Sequence, residues 1–284
     1  MNGCLAVDKP AGMTSHDVVA RCRRALAERR IGHAGTLDPP ATGVLVLGVG
    51  RATRLLRFAE NHDKEYVAEV VFGAATDTQD ATGSTIAEVD ATGLTERAVA
   101  DVLPTFTGTI DQVPPMVSAV KVAGERLYKK ARRGEEVERA PRTVQVHAIE
   151  LLWFEPGPRA RARLRITCSK GTYVRTLAAD IGAALGVGAH VATLRRTRVG
   201  TWDEAMCAAL EDVSPERLRP MADLVAGYPR RDVSADEARA VVTGKRLREA
   251  GIEGPYAVWG PDGLIAMAED HEGGMRSLCV VSES

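Results

Sequence analysis

Alternation of apolar and polar positions marks several segments of the chain as β-strands. Lys64–Phe72 and Arg161–Cys168 alternate along their length, and Thr143–Phe154 precedes the second of them across a short turn. Successive side chains of a strand point to opposite faces, so this period of two predicts strands with one buried face. Cys4–Val7 and Val44–Val49 are nearly all apolar, which favours strands covered on both faces.

Helical spacing separates these strands. Val18, Val19, Cys22 and Leu26 fall on one helical face, which predicts a helix from the cap choices at Thr14 to about Arg30. Further helices are predicted at Ala52–Ala59, Thr95–Phe106, Gly171–Leu185 and Ser234–Val242. Two polar segments, 32–42 and 76–90, are predicted to be loops, the second of them exposed.

The pattern changes near Tyr228. Short apolar segments then follow one another across Gly-rich turns, at Tyr256–Trp259, Leu264–Ala268 and Leu278–Val281. Regular short strands of this kind predict a small β-rich module. We therefore expect two domains, residues 1–229 and residues 230–284.

Composition is that of an ordinary globular protein, with 284 residues, 45% apolar and 26% charged. No stretch approaches 18 apolar residues, so no membrane span is expected. The five cysteines are scattered and lack Cys-x-x-Cys spacing, which argues against a disulfide framework and a zinc site. These features predict a cytoplasmic protein.

The formal net charge of −1 hides an uneven distribution. Between residues 21 and 57 eight arginines face two acids, and between 119 and 146 eight basic residues face four acids. The end of the chain is acidic. Basic regions of this kind meet phosphate, although such clusters are also common on solvated helix faces.

The loop from Ile31 to Val44 contains one acid, Asp38. Glycines in this loop permit unusual backbone conformations, and Pro39 and Pro40 stiffen it. Local chemistry alone leaves two interpretations open, a positioned carboxylate or an aspartate that opens an Asp-Pro turn.

Five segments resemble the bacterial TruB family of tRNA pseudouridine synthases and occur along the chain in the family's order; the segment from Gly32 is the family's signature and is given first. They are Gly32-His-Ala-Gly-Thr-Leu-Asp-Pro-Pro-Ala-Thr-Gly-Val-Leu, Asp8-Lys-Pro-Ala-Gly-Met-Thr-Ser-His, Lys64-Glu-Tyr, Gln112-Val-Pro-Pro-Met-Val-Ser-Ala-Val-Lys and Ser169-Lys-Gly-Thr-Tyr-Val-Arg-Thr-Leu. Leu194-Arg-Arg-Thr-Arg-Val-Gly also fits. The likeness covers roughly the first 200 residues well and the tail more loosely.

This resemblance implies the pseudouridine synthase fold, in the α+β class, with a central mixed, largely antiparallel sheet flanked by helices. It adds a small β-rich PUA-like C-terminal domain. The implied activity isomerises the uridine at position 55 of the TΨC arm of tRNA, with the base flipped out and no guide RNA. The isomerisation needs neither metal nor cofactor, and we expect a monomer.

The resemblance also assigns the catalytic residues. Asp38 matches the family's catalytic aspartate, and Arg175 matches the arginine that pairs with it. Tyr66 matches the tyrosine that stacks on the target base. Without the motifs, Arg175 would be a surface arginine and Tyr66 a core residue.

Four further residues fall on positions that the family uses at its site, namely Lys9, His33, Tyr173 and Leu194. His33 matches a residue that the family inserts where flipped bases were, and Leu194 is expected to form an apolar wall over the uracil. Each also has a structural alternative: a surface charge for Lys9, a loop hydrogen bond for His33, a turn for Tyr173 and core packing for Leu194.

A basic insertion, residues 111–143, matches the family's segment that closes on the RNA arm. Its phosphate-binding residues are expected to be Lys121, Arg126, Lys129, Lys130, Arg132 and Arg133. Three positions depart from the family's pattern, namely Ala34, Pro40 and Val117. They fall in loops and in the basic insertion, and none of them removes a reactive group.

Three other functions stay open at this point. A guide-RNA-dependent synthase of the archaeal and eukaryotic type would share the loop, and a non-catalytic RNA-binding protein would need only the binding surface. A nucleoside hydrolase would need a second carboxylate to activate water. The absence of lysine-rich tails and the long basic insertion favour a stand-alone synthase over the first. The combination of Asp38, Tyr66 and Arg175 argues against the second, and no second carboxylate stands beside these motifs to support the third.

Overall fold

The computed structural model describes residues 1–115 and 137–281, together with the backbone of residues 121–122 and 125–126. The chain forms two compact units. The first consists of Met1–Pro39, Gly43–His62 and Gly200–Ser284, and the second of Pro40–Thr42 and Asp63–Val199.

The described strands and helices are numbered in chain order. The strands are β1 (Gly3–Lys9), β2 (Ile31–Ala34), β3 (Thr42–Val49), β4 (Lys64–Phe72), β5 (Ala74–Thr76), β6 (Thr85–Glu88), β7 (Gly108–Gln112), β8 (Lys121–Val122), β9 (Glu125–Arg126), β10 (Arg142–Glu155), β11 (Arg161–Cys168), β12 (Ala189–Val199), β13 (Trp202–Asp203), β14 (Cys207–Ala208), β15 (Arg230–Asp232), β16 (Tyr256–Gly260), β17 (Gly263–His271) and β18 (Gly274–Val280). The helices are α1 (Ser15–Ala25), α2 (Leu56–Ala59), α3 (Glu96–Val102), α4 (Val174–Ala184) and α5 (Ala235–Val242), and 3-10 turns precede α2 at Gly50–Leu55 and follow α3 at Leu103–Phe106.

The first unit is organised around β3. This strand pairs in antiparallel fashion with β1 on one side and with β2 on the other, and β14 lies parallel to β1. The predicted burial of β3 on both faces is confirmed, because its residues from Val44 to Val49 are all buried. Helix α1 packs its apolar face on this sheet through Val18, Val19 and Cys22.

The predicted helix from Thr14 to Arg30 was too long, since α1 ends at Ala25. Ala27 has a φ of 48°, a left-handed conformation that stops the helix. The predicted loop from Gly32 was also wrong at its start, because residues 31–34 form β2.

Close packing explains why glycine lies inside β2. Gly32 is opposite Gly48 of β3, and Leu56 packs over both. A Cβ added to Gly32 would lie 2.8 Å from Leu56 Cδ1, and one added to Gly48 would lie 2.9 Å from the Ala52 carbonyl oxygen. Glycine in these strands therefore leaves room for the close approach of Leu56. A glycine inside a segment can mark such close packing of a strand as well as a loop.

The second unit is built on an antiparallel sheet with the order β12-β4-β11-β10-β7. The predicted bounds of β4 and β11 are confirmed. Helix α4 packs on β12 and β4.

The segment 76–90 was predicted to be an exposed loop. Residues 77–84 do connect the two strands of a hairpin, but Thr85–Glu88 form β6, which pairs with β5. Thr76 and Asp80 are buried within the hairpin. The amide of Val191 in β12 donates to the Gln79 carbonyl at 3.0 Å, and the Ala81 amide donates to the Val191 carbonyl at 2.9 Å. These bonds tie the hairpin to the sheet of the second unit.

The end of the chain forms a small sheet with the order β15-β16-β17-β18, packed on α5. Asp270 of β17 accepts hydrogen bonds from the amides of Ala250, Gly251 and Ile252 and from the Tyr256 hydroxyl. One carboxylate therefore joins a loop to two strands.

β18 is the last strand of that sheet, and other parts of the first unit cover its outer edge. The Met275 amide donates to the Leu247 carbonyl at 2.9 Å. Further along, Arg57 donates to the Leu278 carbonyl at 2.6 Å and Arg54 donates to the Val280 carbonyl at 2.7 Å.

The observed elements confirm the predicted fold class. Most strand pairs of the larger sheets are antiparallel, β1 and β14 are parallel, and a small β-rich domain ends the chain.

Candidate active site

Asp38 is half-buried in a short loop between β2 and β3 of the first unit. Two glycines with positive φ flank the loop, Gly35 at 82° and Gly43 at 100°. Only glycine adopts such angles without strain, so these positions fix where the loop leaves and re-enters the sheet. Pro39 follows Asp38 and restricts its backbone to extended conformations.

The residue before Asp38 is held by a single hydroxyl. The Leu37 amide donates to Ser15 Oγ at 2.9 Å, and Ser15 Oγ donates to the Leu37 carbonyl at 3.3 Å. Ser15 is 1% exposed. It is the first residue of α1, so the loop is attached to the helix.

The residue after Asp38 is held from the same segment. The Pro39 carbonyl accepts from the Gly12 amide at 2.9 Å and from Lys9 Nζ at 3.1 Å. Lys9 is fully buried, so the alternative of a surface charge was wrong. Its ammonium also donates to the carbonyls of Pro10 at 2.9 Å and Met13 at 2.6 Å, which offset the cost of burying the charge.

His33 lies on β2 and is half-buried. Its ring meets the ring of His16 edge to face, with centroids 5.3 Å apart. His16 is exposed near the start of α1, so the two imidazoles lie at the same end of the first unit as the Asp38 loop. The role of His33 toward RNA stays a prediction.

In the second unit, Tyr66 lies in the middle of β4 and is 9% exposed. Its direct neighbours across the sheet are Ile166 of β11 and Arg196 of β12. Leu194 is opposite Ala68, two residues further along β4, so it shares the sheet face of Tyr66. The structure therefore brings Tyr66, Leu194 and the buried Arg196 onto one face.

Arg175, in the first turn of α4, is buried in a polar cluster of the second unit. Its Nη1 donates to the Thr78 carbonyl at 3.0 Å and lies 3.3 Å from Asp80 Oδ2, with side chains that are 5% and 10% exposed. Asp80 also accepts from the Thr78 hydroxyl at 2.8 Å and from the Thr82 amide at 2.9 Å. A buried ion pair is stable only when the remaining hydrogen-bond donors and acceptors of its two groups also have partners, as they do here.

Tyr173 precedes α4 and is half-buried. The buried amide side chain of Gln112 binds both backbone polar groups of Tyr173, accepting from its amide at 2.9 Å and donating to its carbonyl at 3.3 Å. This pairing sets the start of the helix that carries Arg175.

The predicted phosphate-binding residues fall largely outside the described part of the chain. Short antiparallel strands β8 and β9 place the backbone of Lys121 and Arg126 opposite each other. Their side chains, and Val117, Lys129, Lys130, Arg132 and Arg133, lie outside the described residues.

Sequence reasoning missed three residues of the site, namely Ser15, Asp80 and Arg196. Asp80 stands in Thr76-Asp-Thr-Gln-Asp-Ala-Thr, a run of hydroxyl and carboxylate side chains that could have indicated a polar cluster. Ser15 offered no local signal. Arg196 belongs to the family-like segment that begins at Leu194. It differs from Arg195 and Arg198 in being buried, which the sequence does not reveal.

The cysteines stand apart from these clusters. Burial raises the pKa of Cys4 to about 12 and the pKa of Cys22 and of Cys168 to about 11, so these thiols stay protonated at neutral pH. Among the described residues, no helix is long and apolar enough to cross a membrane, and no group of His, Cys, Asp and Glu could hold a metal ion.

Comparison with protein families gives three matches in chain order. The description "TruB family pseudouridylate synthase (N terminal domain)" matches residues 23–174. "tRNA pseudouridylate synthase B C-terminal domain" matches residues 175–223, and "tRNA Pseudouridine synthase II, C terminal" matches residues 228–282.

Curated relatives resemble the chain over its length. Proteins named tRNA pseudouridine synthase B are 47% identical in Thermobifida fusca, covering 100% of this chain and 99% of the relative, and 48% identical in Mycolicibacterium paratuberculosis, covering 98% and 97%. The Symbiobacterium thermophilum protein of that name is 54% identical over 86% of this chain and 82% of its own length.

Two solved structures share the fold. An H/ACA RNP bound to a substrate RNA containing 2′-deoxyuridine matches with a TM-score of 0.76 and 26% identity, over 99% of this chain and 85% of that one. A protein of an archaeal box H/ACA sRNP matches with a TM-score of 0.76 and 27% identity, over 99% and 86%. The chain therefore belongs to the TruB family of pseudouridylate synthases, and it is an RNA-binding isomerase that forms pseudouridine in tRNA.

Proposed function

We propose that the chain converts the uridine at position 55 in the TΨC arm of tRNA to pseudouridine, acting alone and without a guide RNA. Asp38 supplies the catalytic carboxylate. The observation that carries this assignment is the double attachment of its loop, in which Leu37 and Pro39 are both hydrogen-bonded to the segment from Lys9 to Ser15. A carboxylate that must act on one atom of a bound nucleotide needs such fixed placement.

The reaction is an isomerisation, so its bonds balance without a co-reactant. The N1–C1′ bond of uridine breaks, the uracil turns, and a C5–C1′ bond forms as C5 loses its proton and N1 gains one. The Asp38 carboxylate either attacks a sugar carbon or removes the proton from C2′. Both roles require the ionised form.

The resemblance gives Arg175 and Tyr66 the supporting roles. Arg175 is the family's partner for the aspartate, and its burial with Asp80 supports a fixed rather than a surface role. Tyr66 stacks on the uracil after the nucleotide leaves its helix, which recovers part of the cost of unstacking. The cationic residues of the insertion 111–143 meet the phosphates of the arm.

The stand-alone mode is supported by the pattern of likeness. Identity reaches 47% and 54% with bacterial proteins named tRNA pseudouridine synthase B, against 26% and 27% with the proteins of H/ACA particles. The two modes are separated by a reaction that contains only this protein and an unmodified tRNA transcript.

We predict that Asp38→Asn lowers the single-turnover rate at least about 10³-fold, because an amide neither attacks carbon nor accepts a proton. Binding to tRNA should stay within about threefold, since phosphate contacts provide most of the affinity. The measurement is pseudouridine mapped by position on the transcript, with filter binding in parallel. Asp101→Asn, at a carboxylate that is 70% exposed, is the control.

Two outcomes would contradict the proposal. Normal turnover by Asp38→Asn would remove the carboxylate from the mechanism, and pseudouridine at another position would remove the TΨC assignment. A transcript with deuterium at C2′ of uridine 55 then distinguishes the two chemistries, because only proton removal from C2′ gives a primary isotope effect.

Three further proposals concern the whole chain. We propose a catalytic domain at residues 1–229 and a PUA-like domain at 230–284, a monomeric state, and action in the cytoplasm. Limited proteolysis, sedimentation and cell fractionation test them in turn.

A further inference from the structure

Ser15 makes an unusual pair of contacts with the residue before Asp38. Its hydroxyl accepts from the Leu37 amide and donates to the Leu37 carbonyl, at 2.9 and 3.3 Å. Both polar groups of one backbone residue are therefore bound to a single side-chain oxygen, which is buried. In a dry environment such bonds are costly to lose, because the backbone groups would be left without partners.

The hydroxyl is not needed to begin α1. Thr14 is the N-cap and accepts from the Asp17 amide at 3.1 Å, while the Asp17 carboxylate accepts from the Thr14 amide at 2.9 Å. This capping box satisfies the amides of Thr14 and Asp17 without the Ser15 hydroxyl. Ser15 is thus a helix residue whose side chain is directed to another segment.

The segment that carries Ser15 is packed into the core on one side and hydrogen-bonded to the loop on the other. Val18 and Val19, in the next turn of α1, are buried in the core of the first unit. On the far side of Asp38, the Pro39 carbonyl is bound to Gly12 and Lys9 of the same segment. The loop can therefore shift at Asp38 only if one of these two attachments opens.

We propose that Ser15 is a positioning residue that sets the location of the Asp38 carboxylate for the reaction. The inference rests on the proposed function, in which Asp38 is catalytic. Ser15 acts through the Leu37 backbone. A displacement of about 1 Å at a reacting group lowers rates about 100-fold, so a small movement of Leu37 is sufficient.

The test compares variants by single-turnover pseudouridine formation and by tRNA binding. We expect Ser15→Ala to lower the rate about 10-fold to 100-fold while the dissociation constant for tRNA stays within about threefold. Ser15→Thr keeps the hydroxyl and should recover most of the rate. Thr14→Ala is the matched control, because it removes the helix cap one residue away and leaves the bonds to Leu37 in place.

A loss of rate in Thr14→Ala equal to that in Ser15→Ala would overturn the inference, since the effect would then follow helix stability. A normal rate in Ser15→Ala would also overturn it. If Ser15→Ala does not fold, Ser15→Cys takes its place, because it keeps the volume with weaker hydrogen bonds. A lowered rate in Ser15→Cys then supports the positioning role, and a normal rate overturns it.

The two proposals fail separately. Full activity of Asp38→Asn removes the proposed function, whatever Ser15→Ala does. An inactive Asp38→Asn beside a fully active Ser15→Ala leaves the proposed function intact and removes the positioning role.

Discussion

Asp80 determines where the guanidinium of Arg175 lies within the second unit. Its carboxylate is buried, yet it accepts from Thr78 and Thr82 as well as lying 3.3 Å from Arg175. Because the two threonines occupy one carboxylate oxygen, the other is directed at the arginine. A buried arginine placed in this way presents a fixed charge to whatever anion it meets.

We predict that Asp80→Asn lowers both stability and activity. Removing one charge of a buried pair leaves the other without compensation, at a cost of about 3 kcal/mol. Denaturant unfolding and single-turnover pseudouridine formation measure the two effects. Asp77→Asn is the control, because Asp77 is exposed in the same hairpin and its carboxylate accepts from the Ser84 amide rather than from a buried cation. Equal effects of both variants would contradict the prediction.

The residues of the site differ in how far the sequence predicts them. Asp38, Tyr66 and Arg175 are assigned to the proposed site through the family's motifs, whereas local chemistry left Asp38 open between a positioned carboxylate and a turn residue. Ser15 and Asp80 were missed because their partners lie 22 and 95 positions away along the chain. The run of polar side chains around Asp80 indicates a polar cluster, but contacts at such separations leave no local pattern that identifies the partner.

At the scale of elements, alternation was the reliable signal. The bounds of β4 and β11 were predicted correctly because one face of each strand is buried and the other is not. Hairpin β5–β6 was missed because β6 is exposed at every position and has no alternation. Strand β2 was missed because Gly32, which admits Leu56, looks like a loop glycine.

Gly48 and Gly32 offer a paired test of this packing. We predict that Gly48→Ala lowers the free energy of unfolding by about 1–3 kcal/mol, because its Cβ would press on the Ala52 backbone. Gly32→Ala should cost about 1 kcal/mol or less, because its Cβ meets the end of the flexible Leu56 side chain. The midpoints of urea unfolding compare the two variants. A larger loss of stability in Gly32→Ala than in Gly48→Ala would refute this account of the packing.

At the scale of the whole molecule, Asp270 links protonation to the stability of the C-terminal domain. Burial opposes its ionisation, but the hydrogen bonds from Ala250, Tyr256, Gly251 and Ile252 outweigh burial and lower the pKa of Asp270 below its usual value. Burial and the bond to Asp270 raise the pKa of Tyr256 to about 12, so this hydroxyl remains a donor at neutral pH.

The lowered pKa gives the pH dependence a definite sign. The unfolded chain binds the proton of Asp270 more readily, so the stabilisation is complete above the ordinary aspartate pKa of about 3.9 and is lost as pH falls further. We predict that Asp270→Asn destabilises the domain at pH 7 and that the difference from the unaltered protein shrinks below about pH 4. Urea unfolding from pH 7 to pH 3 measures it, and a constant difference would exclude this linkage.

The covered edge of β18 bears on how copies of the protein behave together. The outer strand of a sheet is a template on which another chain can add a strand, the first step of many aggregates. Here Leu247 occupies one end of that edge, while Arg57 and Arg54 occupy the carbonyls of Leu278 and Val280. These two arginines belong to one of the basic regions of the sequence, yet their contacts at β18 are with backbone oxygen. Part of the positive charge that suggests RNA binding thus occupies backbone carbonyls of β18 with which another strand would otherwise pair.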